Sequence, residues 1–107
     1  MWEIESLTEE LSNFEISFFE LAEVSPKSRK TKRLCFDAVN YIINNSELVD
    51  IIMNKHILPI KEITDNIKLN RKAIERHRKY IITAVIAITQ DYPAIAEYFN
   101  MREVGNM

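Results

Sequence analysis

Apolar residues recur along this chain at intervals of three and four, which is the spacing of one face of an α-helix. In the first half of the chain the pattern predicts four helices, near residues 4–14, 18–22, 26–44 and 47–54. The side chains expected to face the core of this half are Ile4, Leu7, Leu11, Phe14, Phe18, Leu21, Leu34, Ala38, Tyr41, Ile42, Leu48, Ile51 and Ile52.

Serine and proline residues predict where two of these helices begin. Ser25 stands before Pro26, and a serine oxygen can accept the free amide protons of a helix start, where proline loses no hydrogen bond. We therefore expect the third helix to start there and Ser46 to cap the fourth.

The second half of the chain predicts a short helix followed by a long one. Pro59 opens a helix over residues 60–66, in which Ile60, Ile63 and Ile67 face inward. A four-residue link leads to Asn70, a good helix cap. No helix breaker follows until Pro93, so a helix of about twenty residues, about 30 Å long, is expected from residue 71 to about 90. A last helix is predicted over residues 93–100, with Gly105 in a frayed tail.

Composition agrees with one all-α domain, a compact multi-helix bundle over residues 1–107. Of the 107 residues 47% are apolar, with one glycine and three prolines, too few for the many tight turns of a sheet protein. Cys35 is the single cysteine, which excludes an internal disulfide. The start of the chain is acidic, and the longest apolar run, residues 80–88, is much shorter than the ~20 residues that span a bilayer. We expect a cytoplasmic protein without direct membrane insertion.

Charge is segregated along the chain, although the net charge is only −2. Residues 1–24 hold seven acids and no base, whereas residues 27–33 hold five bases and no acid. Residues 71–79 hold five bases and one acid. The second basic island lies on the predicted long helix, and the first lies at the predicted start of the third helix.

The second island forms one face of its helix. At 100° per residue, its polar side chains fall within an arc of about 140°. Apolar side chains and His77 fall on the opposite side. A short helix, a tight link and a capped helix with a basic face, over residues 60–80, form the layout of a helix-turn-helix. The polar arc consists of Arg71, Lys72, Glu75, Arg76 and Lys79.

This arrangement suits the major groove of DNA, where an arginine can bind guanine with two hydrogen bonds. Arg71 and Arg76 are the candidates for reading bases, and Lys72 and Lys79 for holding phosphates. Glu75 could accept from a cytosine amino group or orient a neighbouring arginine. Further candidates for phosphate contact are the helix start at Asn70, together with Lys61 and Lys68. The alternative to DNA binding is that the basic residues from 71 to 79 are simply the solvated face of an amphipathic helix. The link has no glycine, so Asn66 or Lys68 would have to adopt any left-handed conformation.

Residues 71–81, Arg-Lys-Ala-Ile-Glu-Arg-His-Arg-Lys-Tyr-Ile, resemble the C-terminal domain of sigma-I-type (SigI) sigma factors. Leu-Pro-Ile-Lys-Glu-Ile before them, at 58–63, and Asp-Tyr-Pro after them, at 91–93, share the resemblance, which covers about residues 10–100. The chain departs from the family pattern at Asn70 for serine, Ala73 for threonine, His77 for asparagine and Gln90 for glycine.

The resemblance implies a domain similar to region four of other sigma factors. Such a domain binds the −35 element of promoter DNA and contacts core RNA polymerase. The cytosolic N-terminal segment of a membrane-bound anti-sigma factor holds it inactive. The resemblance also implies that the chain is an excised domain of a longer factor. The first basic island, residues 27–33, could extend the DNA footprint, contact polymerase or simply form a solvated helix end. The alternative hypothesis for the whole domain is a helical protein-interaction module whose basic helix binds an acidic protein partner.

Other chemistry has little support in the sequence. Cys35 has no histidine near it, and His56 and His77 have no acids at metal-ligand spacing, so no metal site is expected. No glycine-rich phosphate loop or nucleophile with its base is recognisable, so we expect no cofactor, no small-molecule substrate and no catalysis.

Overall fold

The computed structural model describes residues 2–98, and within them the chain forms eight helices and no strand. The predicted all-α fold is confirmed. Residues 99–107, which include the predicted end of the last helix at Asn100 and the tail with Gly105, lie outside the described range. The helices are α1 (Trp2–Ser12), α2 (Phe18–Val24), α3 (Arg29–Ile43), α4 (Ser46–Lys55), α5 (Ile60–Asn66), α6 (Arg71–Arg76), α7 (Arg78–Thr89) and α8 (Pro93–Tyr98).

Helix α7 is the centre of the fold. Every residue from 80 to 87 is buried, and α2, α3, α4, α6 and α8 all contact this helix. A helix that is apolar on every side must be surrounded by others to remove its surface from water. The apolar run at residues 80–88 is therefore core, as predicted, and among the described residues no helix is both long and apolar enough to cross a membrane.

The first four helices bury most of the positions predicted to face inward. Leu7, Leu11 and Ile42 are completely buried, whereas Ile4 is 46% exposed, so its predicted core position is wrong. Helix α1 lies against α8, and the Glu3 carboxylate accepts hydrogen bonds from the Ala94 and Ile95 amides at the start of α8. These contacts leave the Ile4 side of the helix uncovered.

The third helix begins later than predicted, because Ser28 and not Ser25 is its N-cap. The Ser28 hydroxyl oxygen accepts a hydrogen bond from the Thr31 amide over 3.1 Å. The Ser25 hydroxyl donates to the Leu21 carbonyl at the end of α2 instead, and Ser25 itself is extended, as favoured before a proline. The predicted Ser46 cap is also wrong, because α4 starts one residue earlier, at Ser46 itself, with Asn45 as its N-cap.

The single helix predicted over residues 71 to about 90 is wrong, because it is divided at His77. The backbone there leaves helical geometry (φ −105°, ψ 17°), although the Ile81 amide still donates to the His77 carbonyl over 3.0 Å. Proline and glycine are both absent from this region, so local propensity does not explain the break. Side-chain contacts with α2 coincide with it, and they are described below.

Candidate nucleic-acid interface

Helices α5 and α6 form the predicted helix-turn-helix layout. Helix α5 has the predicted bounds, and residues 67–70 link it to α6. The two helices contact each other, and Ile63 and Ile74 are completely buried. Ile67 is extended, and the Leu69 amide donates to the Ile67 carbonyl. The link thus needs no left-handed residue, because positive φ values within residues 2–98 occur at other positions: Glu15, His56 and Asp91.

Asn70 caps α6, as predicted. Its side-chain oxygen accepts a hydrogen bond from the Ala73 amide over 3.1 Å. Helix α6 has only six residues, so this bond holds a large part of its first turn. The cap therefore fixes the backbone that carries Arg71 and Lys72.

The two sides of α6 differ as predicted. Ile74 is completely buried, while Arg71, Lys72, Glu75 and Arg76 are exposed. The cationic side chains of α6 are therefore open to a large ligand, and the apolar side of the same helix packs into the bundle.

Ion pairs on this surface are weak and local. Arg71 Nε lies 3.2 Å from Glu75 Oε1, and the two side chains are 63% and 49% exposed, so solvent screens most of their attraction. Glu75 thus lies beside Arg71, as one of its two predicted roles requires. Lys61 pairs similarly with Asp65 on α5, at 3.5 Å.

Three of the predicted DNA-binding cations make no ion pair within 4.0 Å in the described part of the chain: Lys68, Lys72 and Arg76. All three are exposed. Binding to an anionic ligand would therefore require no internal ion pair to break at these positions.

Lys79 differs from the other predicted cations, because α2 holds it. Its Nζ lies 3.0 Å from Glu20 Oε2, and it is partly buried. The same Glu20 carboxylate accepts from the Ser17 amide over 2.9 Å. The Ser17 amide and the Lys79 ammonium together lower the pKa of Glu20. Lys79 therefore contacts α2, and it would have to leave Glu20 to reach a phosphate.

His77 makes the second contact with α2, and sequence reasoning did not identify this role. Its Nδ1 lies 2.6 Å from the Val24 carbonyl oxygen, 53 residues earlier in the chain. A carbonyl oxygen only accepts, so Nδ1 carries the proton and donates. The helical pattern places His77 on the inner side, and it is indeed buried. No local signal in the sequence identifies Val24 as its partner.

The described residues meet the requirements of neither a metal site nor a reactive thiol. Among residues 2–98, histidine, cysteine and carboxylate side chains form no group of three or more that could hold a metal ion. The Cys35 side chain is completely buried in α3, and burial raises the pKa of its thiol to about 12. The thiolate is therefore strongly disfavoured.

The fold and the exposed face of α6 define the class: an all-helical domain whose helix-turn-helix presents arginine and lysine to solvent. Comparison with known proteins finds relatives of this chain. The chain is 42% identical to the RNA polymerase sigma factor SigI7 of Acetivibrio thermocellus over 92% of its own length, and 42% of that protein is covered. It is 40% identical to the sigma factor SigI of Bacillus anthracis and 35% to that of Bacillus subtilis, over 82% and 90% of its length and 37% and 38% of theirs.

These similarities confirm the predicted relationship: the 107 residues are homologous to part of the SigI-type RNA polymerase sigma factors. The chain spans about two fifths of the length of these relatives. No family model matches the chain.

Proposed function

We propose that this chain is the cytoplasmic promoter-binding domain of a SigI-type sigma factor, and that α6 reads the −35 element in the major groove. The observation that carries the proposal is the two-sidedness of α6. Ile74 anchors the helix in the core, while Arg71, Lys72 and Arg76 are exposed. Asn70 caps the first turn of this helix. The relatives are named RNA polymerase sigma factors, which supports the same function.

The exposed residues divide into base-reading and phosphate-binding groups. Arg76 makes no ion pair with any residue from 2 to 98, and Glu75 contacts Arg71 through its Nε, so both guanidinium groups can offer two N–H donors to guanine. The lysines Lys61, Lys68 and Lys72 bind phosphates and set the register of the domain on DNA. In this proposal Lys79 is a weaker phosphate ligand, because Glu20 already neutralises it.

The proposal extends to protein partners. Core RNA polymerase binds the factor that contains this domain, and the cytosolic N-terminal segment of a membrane-bound anti-sigma factor holds the domain inactive. Both partners follow from the family resemblance, and the names of the relatives support the first.

A binding selection from random duplexes, with the 107-residue chain as bait, tests the DNA function. Recovery of a shared motif is expected. Arg76→Ala should then relax the preference at one base position by about 1–3 kcal/mol, which is about 5- to 150-fold. Lys72→Ala is the matched control on the same helix face, and it should weaken binding to all sequences by the same factor.

Two results would contradict the proposal. Recovery of no motif would exclude sequence-specific reading by this chain. Binding to acidic proteins with no preference among duplexes would favour the alternative, in which the basic helix is a protein-binding module.

A further inference from the structure

The two basic islands of the sequence lie close together in the fold, and the Val24–His77 hydrogen bond is what joins them. His77 immediately follows α6, and Val24 is the last residue of α2. Lys27 is only three residues beyond Val24, at most about 11 Å of extended chain. The first island therefore begins beside the end of the proposed DNA-reading helix, and α3, which carries it, contacts α6.

The exposed cations of this region are defined here as the α3 basic patch: Lys27, Arg29, Lys30 and Lys32. Within the described residues these four side chains make no ion pair within 4.0 Å. Arg33, by contrast, pairs with Asp37 and lies over the Phe36 ring. The patch thus presents four cations that the fold leaves uncompensated.

The start of α3 also repeats the start of α6. Each helix has a polar cap whose side chain accepts from the backbone three residues later, Ser28 in α3 and Asn70 in α6. Each cap is followed by Arg-Lys. Four other helices, α1, α2, α4 and α5, carry an acid in the first turn, which suits the positive end of a helix dipole. Cations in that position disfavour the free helix, and a polyanion would offset them.

We infer that the α3 basic patch is a second DNA-binding surface, which holds the phosphate backbone beside the groove occupied by α6. The inference rests on the proposed function and deepens it. A helix seated in a major groove about 12 Å wide has phosphates along both sides. The first cation of the patch is at most about 11 Å of extended chain from Val24, which is hydrogen-bonded to His77 at the end of α6, so the patch is placed to meet these phosphates. The side-chain charges carry this role, so it adds affinity without sequence preference.

Salt dependence measures the number of phosphates neutralised. Three contacts, from Lys61, Lys68 and Lys72, predict a slope of about −3 in log affinity against log salt concentration, and the four patch cations take it to about −6. The paired substitution Arg29→Gln with Lys30→Gln should reduce the slope by about 2. At 0.1 M salt the affinity should fall about 60-fold, about eightfold for each contact.

The experiment uses fluorescence anisotropy with the 107-residue chain and two 20-base-pair duplexes, one from the selection and one unrelated. The paired variant should lose affinity for both by the same factor and keep its preference between them. The single variant Lys30→Gln is compared with Lys55→Gln, which removes an exposed charge at the end of α4. Thermal melts followed by circular dichroism verify that each variant folds.

A slope change in Lys30→Gln no larger than in Lys55→Gln would overturn the inference. It would also be overturned if the paired variant bound both duplexes normally but lost affinity for core polymerase, since the patch would then serve a protein. Arg76→Ala in the same assay separates the two proposals. If Arg76→Ala abolishes preference while the paired variant keeps its slope, the proposed function stands and the patch does not.

Discussion

His77→Leu removes the hydrogen bond that joins the end of α6 to α2 while keeping a side chain of similar size. The Val24 carbonyl then loses a donor at 2.6 Å, in a place where His77 is 91% buried. His77→Asn is the matched control, because asparagine Nδ2 lies as many bonds from Cα as histidine Nδ1 and can donate to the same oxygen.

The expected loss follows from the burial of the contact. A polar group left unsatisfied on burial costs about 1–3 kcal/mol of folding free energy. In a domain of about 100 residues each kcal/mol shifts the melting temperature by about 4–8 °C. We therefore expect His77→Leu to melt about 4–24 °C below the wild type, and His77→Asn to retain most of the stability.

Differential scanning calorimetry of the three proteins at neutral pH, without DNA, gives the comparison. A melting temperature for His77→Leu within about 2 °C of the wild type would mean that the bond contributes little. Equal losses in the leucine and asparagine variants would assign the stability to packing of the imidazole ring. Either result would refute the role given to the Val24 carbonyl.

Three further predictions concern the cap, the α2 ion pair and the thiol. Asn70→Ala should cost about 1 kcal/mol in urea unfolding and weaken DNA binding, while Asn70→Ser should restore both; equal behaviour of the two variants would exclude a capping role. The lowered pKa of Glu20 means that its contribution to stability is present above its unfolded pKa and is lost as pH falls through its folded pKa. Glu20→Gln should therefore lower the urea midpoint at pH 7 and flatten its decline towards pH 3, and a decline as steep as the wild type's would argue against this linkage. Cys35, with a pKa of about 12 and no exposed surface, should react with Ellman's reagent at pH 8 only when the domain unfolds, so rapid labelling of the native protein would contradict its burial.

Much of the fold could be predicted because it depends on neighbours in sequence. Helical periodicity, the Asn70 cap and the bounds of α5 involve residues no more than four apart, and the sequence displays them directly. The two-sidedness of α6 belongs to the same class, since the buried Ile74 and the exposed Arg76 follow from the 100° step of one helix.

The errors lie where distant residues compete with local preference. The helix through His77 has no breaker, yet it is divided where two side chains meet α2 residues that are 53 and 59 positions away. The Lys79–Glu20 contact holds Lys79 away from the cationic face. The His77–Val24 hydrogen bond brings the chain that leads to the first basic island close to the second. The Ser25 hydroxyl, which could have capped α3, bonds the end of α2 instead.

The amino-acid sequence by itself determined the helical class, the position of the helix-turn-helix and the residues exposed on α6. These depend on interactions within one or two helical turns, which recur wherever the same residues occur at the same spacing. Only the tertiary structure decided where that helix ends and which cations remain open to a ligand. Those outcomes depend on how α2 packs against α7 and on its hydrogen bond with His77. Such packing is set by the whole core, and the spacing of residues along the chain does not reveal it.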